Sequence, residues 1–174
     1  VTFLENNSDF VITYHGTNCI DANNDRQNYV GGATVDLSQK SLKEAPPINT
    51  HTVVFRNVIT EFPMEMQITR IGDLFIWVLL SQYGKGKFLK HIQPAVYRKH
   101  EGGILSQKCG QTSSIMLMSC YVALSLYFNK TKDYKYRDFF VKRIFGIVFL
   151  YMGPFGFIRH CLTVFIRKLF RVFV

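Results

Sequence analysis

Apolar and polar positions along this chain fall into blocks with different periods. Val1 to Asn7 reads as the end of a helix. Asp9-Phe-Val-Ile-Thr-Tyr-His15 is a short β-branched and aromatic run suited to a buried strand. From Gly16 to Asn49 the pattern dissolves into Asn, Asp, Gly and Ser and closes on Pro46-Pro47, the composition of an irregular surface excursion. Thr50-His-Thr-Val-Val-Phe-Arg-Asn57 predicts a second strand, whose polar end would project Arg56 and Asn57 into a cleft. Gly72-Asp73 then opens an apolar body, Leu74 to Tyr83, ended by Gly84. An acid at the start and a glycine at the end predict a helix, and apolar residues nearly all round predict that it is buried. Trp77 belongs to that core.

Beyond the Gly84-Lys-Gly-Lys87 turn, Phe88-Leu89 and Ala95 to His100 read as short extended pieces leading to a tight turn at Glu101-Gly102-Gly103. The rest predicts three helices, Ser113 to Phe128, Tyr136 to Met152 and Phe155 to Phe173, the last two parted by Gly153-Pro154. The apolar run Ile144 to Ile158 is about fifteen residues long, short of the ~20 that a spanning helix needs. A helix lying in the headgroup region suits the last segment better, because Arg159, Arg167, Lys168 and Arg171 punctuate its apolar residues. A helix pair packed on the preceding domain fits the same pattern.

Length and charge narrow the classes. A chain of 174 residues holds one ordinary core plus an appendage and excludes a large multidomain enzyme. The formal charge of +9 is concentrated between Lys130 and Arg171. A basic, aromatic tail suits either nucleic acid or an anionic membrane surface. The intervening Phe, Ile, Leu and Val favour the membrane, so no nucleic-acid partner is expected. Cys19, Cys109, Cys120 and Cys161 show no CxxC spacing and no zinc-like His partner, which predicts free thiols in a reducing compartment. Asp21, Asn23, Asn24 and Asp25 lack EF-hand spacing and read as turn chemistry. His15, His51, His91 and His160 form no constellation in sequence. No signal peptide or initiator methionine opens the chain, so Val1 reads as a cut end or a late start.

Taken alone, Asp73 is equally well a helix-capping residue or a carboxylate poised for proton transfer, and His100 alone would be structural or merely exposed. Their order carries more. Phe55-Arg56-Asn57, then Gly72-Asp73, then Tyr97-Arg98-Lys99-His100-Glu101-Gly102-Gly103 resembles the C-terminal half of bacterial family 2 glycosyltransferases. There a T-x-x-F-R-N strand precedes a G-D helix and a Y-R-x-H-x-G-G-x-S turn. The likeness runs from about Phe3 to Ser106, most closely over His51 to Ser106.

That resemblance implies an α/β chain with a partial GT-A, Rossmann-like sheet flanked by helices, followed by a helical, basic, membrane-associating tail. Residues 1–108 would be the acceptor-side half of the catalytic domain and 109–174 the helical extension. The implied activity is transfer of a sugar, with inversion, from a nucleotide-diphosphate donor to a glycan or lipid-linked acceptor hydroxyl in surface-polysaccharide synthesis. Asp73 would be the general base, His100 the metal and diphosphate ligand, Arg98 a donor-diphosphate contact, and Arg56 and Ser106 supporting residues. For Arg56 a structural role is the favoured one. Mn²⁺ or Mg²⁺ is the implied metal, and Gly102-Gly103 would admit a phosphate close to the backbone. The departure is that nothing before Asp9 supplies the nucleobase-binding strand or the D-x-D motif, so the polypeptide alone is expected to be inactive. The implied location is cytoplasmic, peripheral on the inner face of the plasma membrane. The alternative is a non-catalytic membrane-associated binding module that retains the acceptor half of the fold.

Overall fold

The fold was read from a computed structural model that describes residues 1–27, 32–100 and 111–172. It is mixed α/β, with two small mixed sheets and a C-terminal helical region. A short helix, α1 (Thr2–Asn6), leads into β1 (Phe10–Tyr14), whose residues from Val11 onward are all buried, as its unbroken apolar run requires. After a break at His15-Gly16 the same line of chain continues as β2 (Thr17–Ile20), which turns back into β3 (Arg26–Gln27). Next come α2 (Gln39–Lys43), a 3₁₀ turn at Thr50–Thr52, β4 (Val54–Phe55) and a second 3₁₀ turn at Met64–Ile68. Helix α3 (Gly72–Leu80) precedes β5 (Lys85–Phe88) and β6 (Ala95–Arg98). Two long helices follow, α4 (Gln111–Lys130) and α5 (Tyr134–Val172).

Pairing of distant strands builds both sheets. In the order β4-β1-β5, β1 is antiparallel to β4 and parallel to β5. In the order β3-β2-β6, β2 is antiparallel to β3 and parallel to β6. Tyr14 pairs with Phe88 and Thr17 with Ala95, so a two-residue gap on one strand faces a six-residue loop on the other. Gly16 accommodates that loop: a Cβ there would lie 3.4 Å from the Pro94 ring. Gly84 is packed harder still, its Cβ position falling 2.7 Å from the Asp9 carbonyl oxygen.

Two expectations change. The Gly16–Asn49 stretch is not only a surface excursion, since it supplies β2, β3 and α2 and sends Leu42, Ala45 and Ile48 into the core. Polar neighbours hide those apolar positions from any periodicity. The expected strand over residues 50–57 shrinks to Val54–Phe55, because Thr52 buries its hydroxyl on the Asn49 carbonyl at 2.7 Å and curls the chain into a 3₁₀ turn. Helix α4 carries Cys120, Ala123, Leu124 and Phe128 into the same buried cluster as β1 and α3, across the 108/109 boundary.

Helix α3 is buried as the sequence predicts, with Phe75, Trp77, Val78 and Leu80 in the core and Trp77 edge-on to Phe55, but it ends at Leu80 with Ser81 as C-cap, and Gly84 packs against β1 instead of stopping the helix. Between α4 and α5, Lys132 takes φ 60°, and the Asp133 and Lys132 N–H groups donate to the Phe128 and Asn129 carbonyls. This is a Schellman stop with lysine where glycine is usual. Asp133 also holds Lys43 at 2.6 Å, which fastens the helical region to α2, and Phe128 stacks on Phe140, which joins α4 to α5. The tail breaks at Gly153 (φ 64°, ψ 167°), before Pro154, where the sequence places the gap. Among the described residues Tyr134–Leu162 is long and apolar enough to cross a membrane by length and composition, with a mean hydropathy of 1.5 and none of its apolar window buried. The apolar stretch thus runs further than the Ile144–Ile158 segment read from sequence.

Candidate functional site

The start of α3 and the edge of the β3-β2-β6 sheet are joined by the turn at residues 49–52. Thr50 donates its hydroxyl to Asp73 Oδ2 at 2.5 Å, while Asp73 Oδ1 accepts the Leu74 N–H at 2.8 Å. The helix begins at Gly72 and its N-cap residue, Ile71, offers no side-chain cap, so Asp73 sits inside the first turn rather than capping it. Cys120 lies behind it on α4. Burial pushes that thiol up to about 11, the Thr69 hydroxyl opposes the shift, and the Asp73 charge adds to it.

The next residue of the turn reaches the other way. The His51 ring stacks on Tyr97 of β6, with centroids 5.6 Å apart and planes 18° from parallel, and its Nε2 lies 3.1 Å from Thr17 Oγ1 on β2. Asn49 Nδ2 donates to the same hydroxyl at 3.0 Å. Gly32, at φ 89°, makes room for this, because a Cβ there would fall 2.4 Å from Asn49 Nδ2. His51 is exposed at its outer edge, yet one ring face is covered. That partial burial, followed by the charge of nearby His15, lowers its pKa below the ordinary 6.5. Successive residues of one turn therefore grip Asp73 and Tyr97, tying the carboxylate to the strand that leads to His100. Sequence reasoning missed Thr17, Asn49, Thr50 and His51. The signal was the Thr-His-Thr run after Pro46-Pro47, which reads equally well as strand.

The other predicted site residues divide. Arg98 Nη1 donates to the Asp21 and Ala22 carbonyls at 3.1 and 3.4 Å, and Nη2 donates to Asn24 Oδ1 at 2.6 Å, so its fork closes the β2–β3 turn. Within that turn Asp21 Oδ1 accepts the Asn23 and Asp25 N–H groups, which is turn chemistry as the sequence suggests. Arg56 does not project into a cleft. Its Nε donates to the Phe10 carbonyl at 2.9 Å and its Nη2 to the Leu4 and Asn7 carbonyls, lashing the end of α1 to β1. His100 is exposed just beyond β6. Ser106, Gly102 and Gly103 lie outside the described residues.

Among the described residues no three His, Cys, Asp or Glu side chains gather to hold an ion. Asp73 already accepts two hydrogen bonds and Asp21 three, which leaves the exposed His100 imidazole without a partner carboxylate among them. One neutral nitrogen does not fit Mg²⁺, which takes oxygen ligands, and holds Mn²⁺ poorly. No family model, no curated protein and no solved structure matches this chain.

Proposed function

We propose that this chain is the acceptor-side half of an inverting, nucleotide-sugar-dependent glycosyltransferase of the family 2 type, with Asp73 as the catalytic base. One observation carries the reading. A carboxylate fixed in the first turn of a helix by Thr50 and Leu74 is coupled through His51 to Tyr97 on the strand that leads to His100. In this reading Asp73 takes the proton from an acceptor hydroxyl as its oxygen attacks the anomeric carbon, and the nucleotide diphosphate departs with the bonding electrons. Thr50 orients the carboxylate, Arg98 secures the turn beside β6, and His100 stands at the exposed edge where a diphosphate would approach.

The test is Asp73→Asn in an enzyme that combines this chain with a donor-binding half. Turnover should fall by roughly 10²- to 10⁴-fold while calorimetric donor affinity is retained. Unchanged turnover removes Asp73 from the chemistry. A second reading, a non-catalytic membrane-associated module, is favoured by the exposed apolar length of α5. Vesicle binding without any nucleotide-sugar affinity would select it.

A further inference from the structure

Helix α5 does not continue straight. Phe145 and Phe157 are twelve positions apart, which on one helix axis is about 18 Å. Their ring centroids nevertheless lie 6.3 Å apart, and Phe149 meets Phe157 at 5.6 Å. The contacts require the second limb to turn back at Gly153, whose backbone leaves helical values, next to Pro154, which lacks an N–H. The bend is apolar and bare: Leu150 and Phe155, on either side of it, are 82% and 88% exposed. The feet are basic. Within α5, Lys142 stands exposed below the apolar stretch beside Arg143, whose guanidinium donates to the Tyr121 hydroxyl at 2.9 Å; Arg159, Arg167, Lys168 and Arg171 follow the bend in sequence, and no acidic residue occurs after Asp138.

We propose that α5 is a re-entrant wedge that dips into one leaflet of an anionic bilayer, with its bend in the acyl region and both basic ends at the same surface. Dimensions agree with this. The uncharged stretch Ile144 to Met152 is about 13 Å long at 1.5 Å per residue, close to the ~15 Å of half a hydrocarbon core; Ile144 and Ile147 on its inner side pack against the core, and Phe145, Phe149 and Leu150 form the face left for lipid. Arg159 lies about 7 Å along the axis from Pro154, within reach of the headgroups for a long side chain whose charge stays at the surface. A bend that brings the limbs together does not use the length that would let Tyr134–Leu162 cross. The occupant is a lipid surface rather than a protein groove, because basic feet flank an unpaired apolar tip. The proposal stands whether or not the chain transfers sugar.

The test adds the full chain to sealed phosphatidylcholine vesicles with and without phosphatidylglycerol. Cysteines introduced singly as Lys132→Cys, Leu150→Cys and Arg171→Cys are probed with a membrane-impermeant maleimide, and labelled sites are read by peptide mass mapping. The wedge predicts labelling at 132 and 171 and protection at 150. Protection at 171 that detergent relieves would mean a spanning helix, and free labelling at 150 would mean no insertion; either overturns the proposal. Leu150→Asp combined with Phe155→Asp should lower flotation with anionic vesicles by more than about tenfold. Trp77 fluorescence reports that this double variant is still folded. Undiminished flotation of the folded variant, or equal flotation of the wild type with neutral vesicles, also refutes the wedge.

Discussion

Arg56 offers the sharpest check on how the N-terminal part is held. Its guanidinium donates to the carbonyls of Leu4 and Asn7, at the end of α1, and of Phe10, at the start of β1, the first two of which it shares with the Asn7 and Phe10 N–H groups. Arg56→Met keeps the alkyl stem and removes the fork. Hydrogen bonds to a charged group contribute about 1.5–3 kcal/mol each. Discounting the long contact to Asn7 and allowing water to reach the part-buried carbonyls leaves a loss of about 2–3 kcal/mol. Arg56→Lys should recover less than half of that, since one ammonium cannot span carbonyls placed for a planar fork. Reversible urea unfolding followed by Trp77, the sole tryptophan and almost wholly buried, measures both variants. If Arg56→Met costs under about 0.5 kcal/mol, or Arg56→Lys is as stable as the wild type, the fork is not what ties α1 to β1.

The remaining predictions concern separate parts of the molecule. Gly84→Ala should destabilise by about 1–3 kcal/mol in the same unfolding assay, because the added methyl meets the Asp9 carbonyl and the Val11 nitrogen, both backbone. A neutral result would mean that β1 and β5 can part without cost. His51 should titrate below 6.5 by NMR, and His15→Gln should move its midpoint upward. Because the folded state disfavours the imidazolium, stability should fall as pH drops from 6.5 through that lowered value, and His51→Asn should flatten this slope. A midpoint at or above 6.5 contradicts the stacked, partly buried ring. With maleimide at pH 8, exposed Cys161 should label rapidly while Cys19 and Cys120 resist, Cys120 because its thiol is both buried and pushed up to about 11. Rapid labelling of Cys120 would mean that α4 opens away from α3.

The elements legible in the sequence were those whose residues explain themselves locally. The β-branched run before Tyr14, the acid-led apolar body of α3 and the Gly153-Pro154 break each carry their own signal. What remained hidden depends on partners far along the chain. Leu42 reads as a lone apolar residue among polar ones until α2 is seen packing on the core, and residues 50–52 curl because Thr52 finds the Asn49 carbonyl. The candidate site divides the same way. Asp73 is conspicuous beside Gly72, whereas the hydroxyl that orients it lies 23 residues away and the His51–Tyr97 stack joins residues that no local pattern relates. Arg56 and Arg98 were visible as cations, but which carbonyls they would serve is a tertiary fact.

The parallel ladders also set the order in which this polypeptide can mature. Phe10 must await Lys85, and Thr17 must await Ala95, before either central strand acquires its parallel neighbour. At a synthesis rate of 5–20 residues per second that delay is roughly 4–15 s, during which an apolar strand emerges with an open hydrogen-bonding edge. Nascent chains are therefore most vulnerable to mispairing with one another in that interval, and a chaperone that shields residues 10–20 should raise the yield more than one acting on the finished protein.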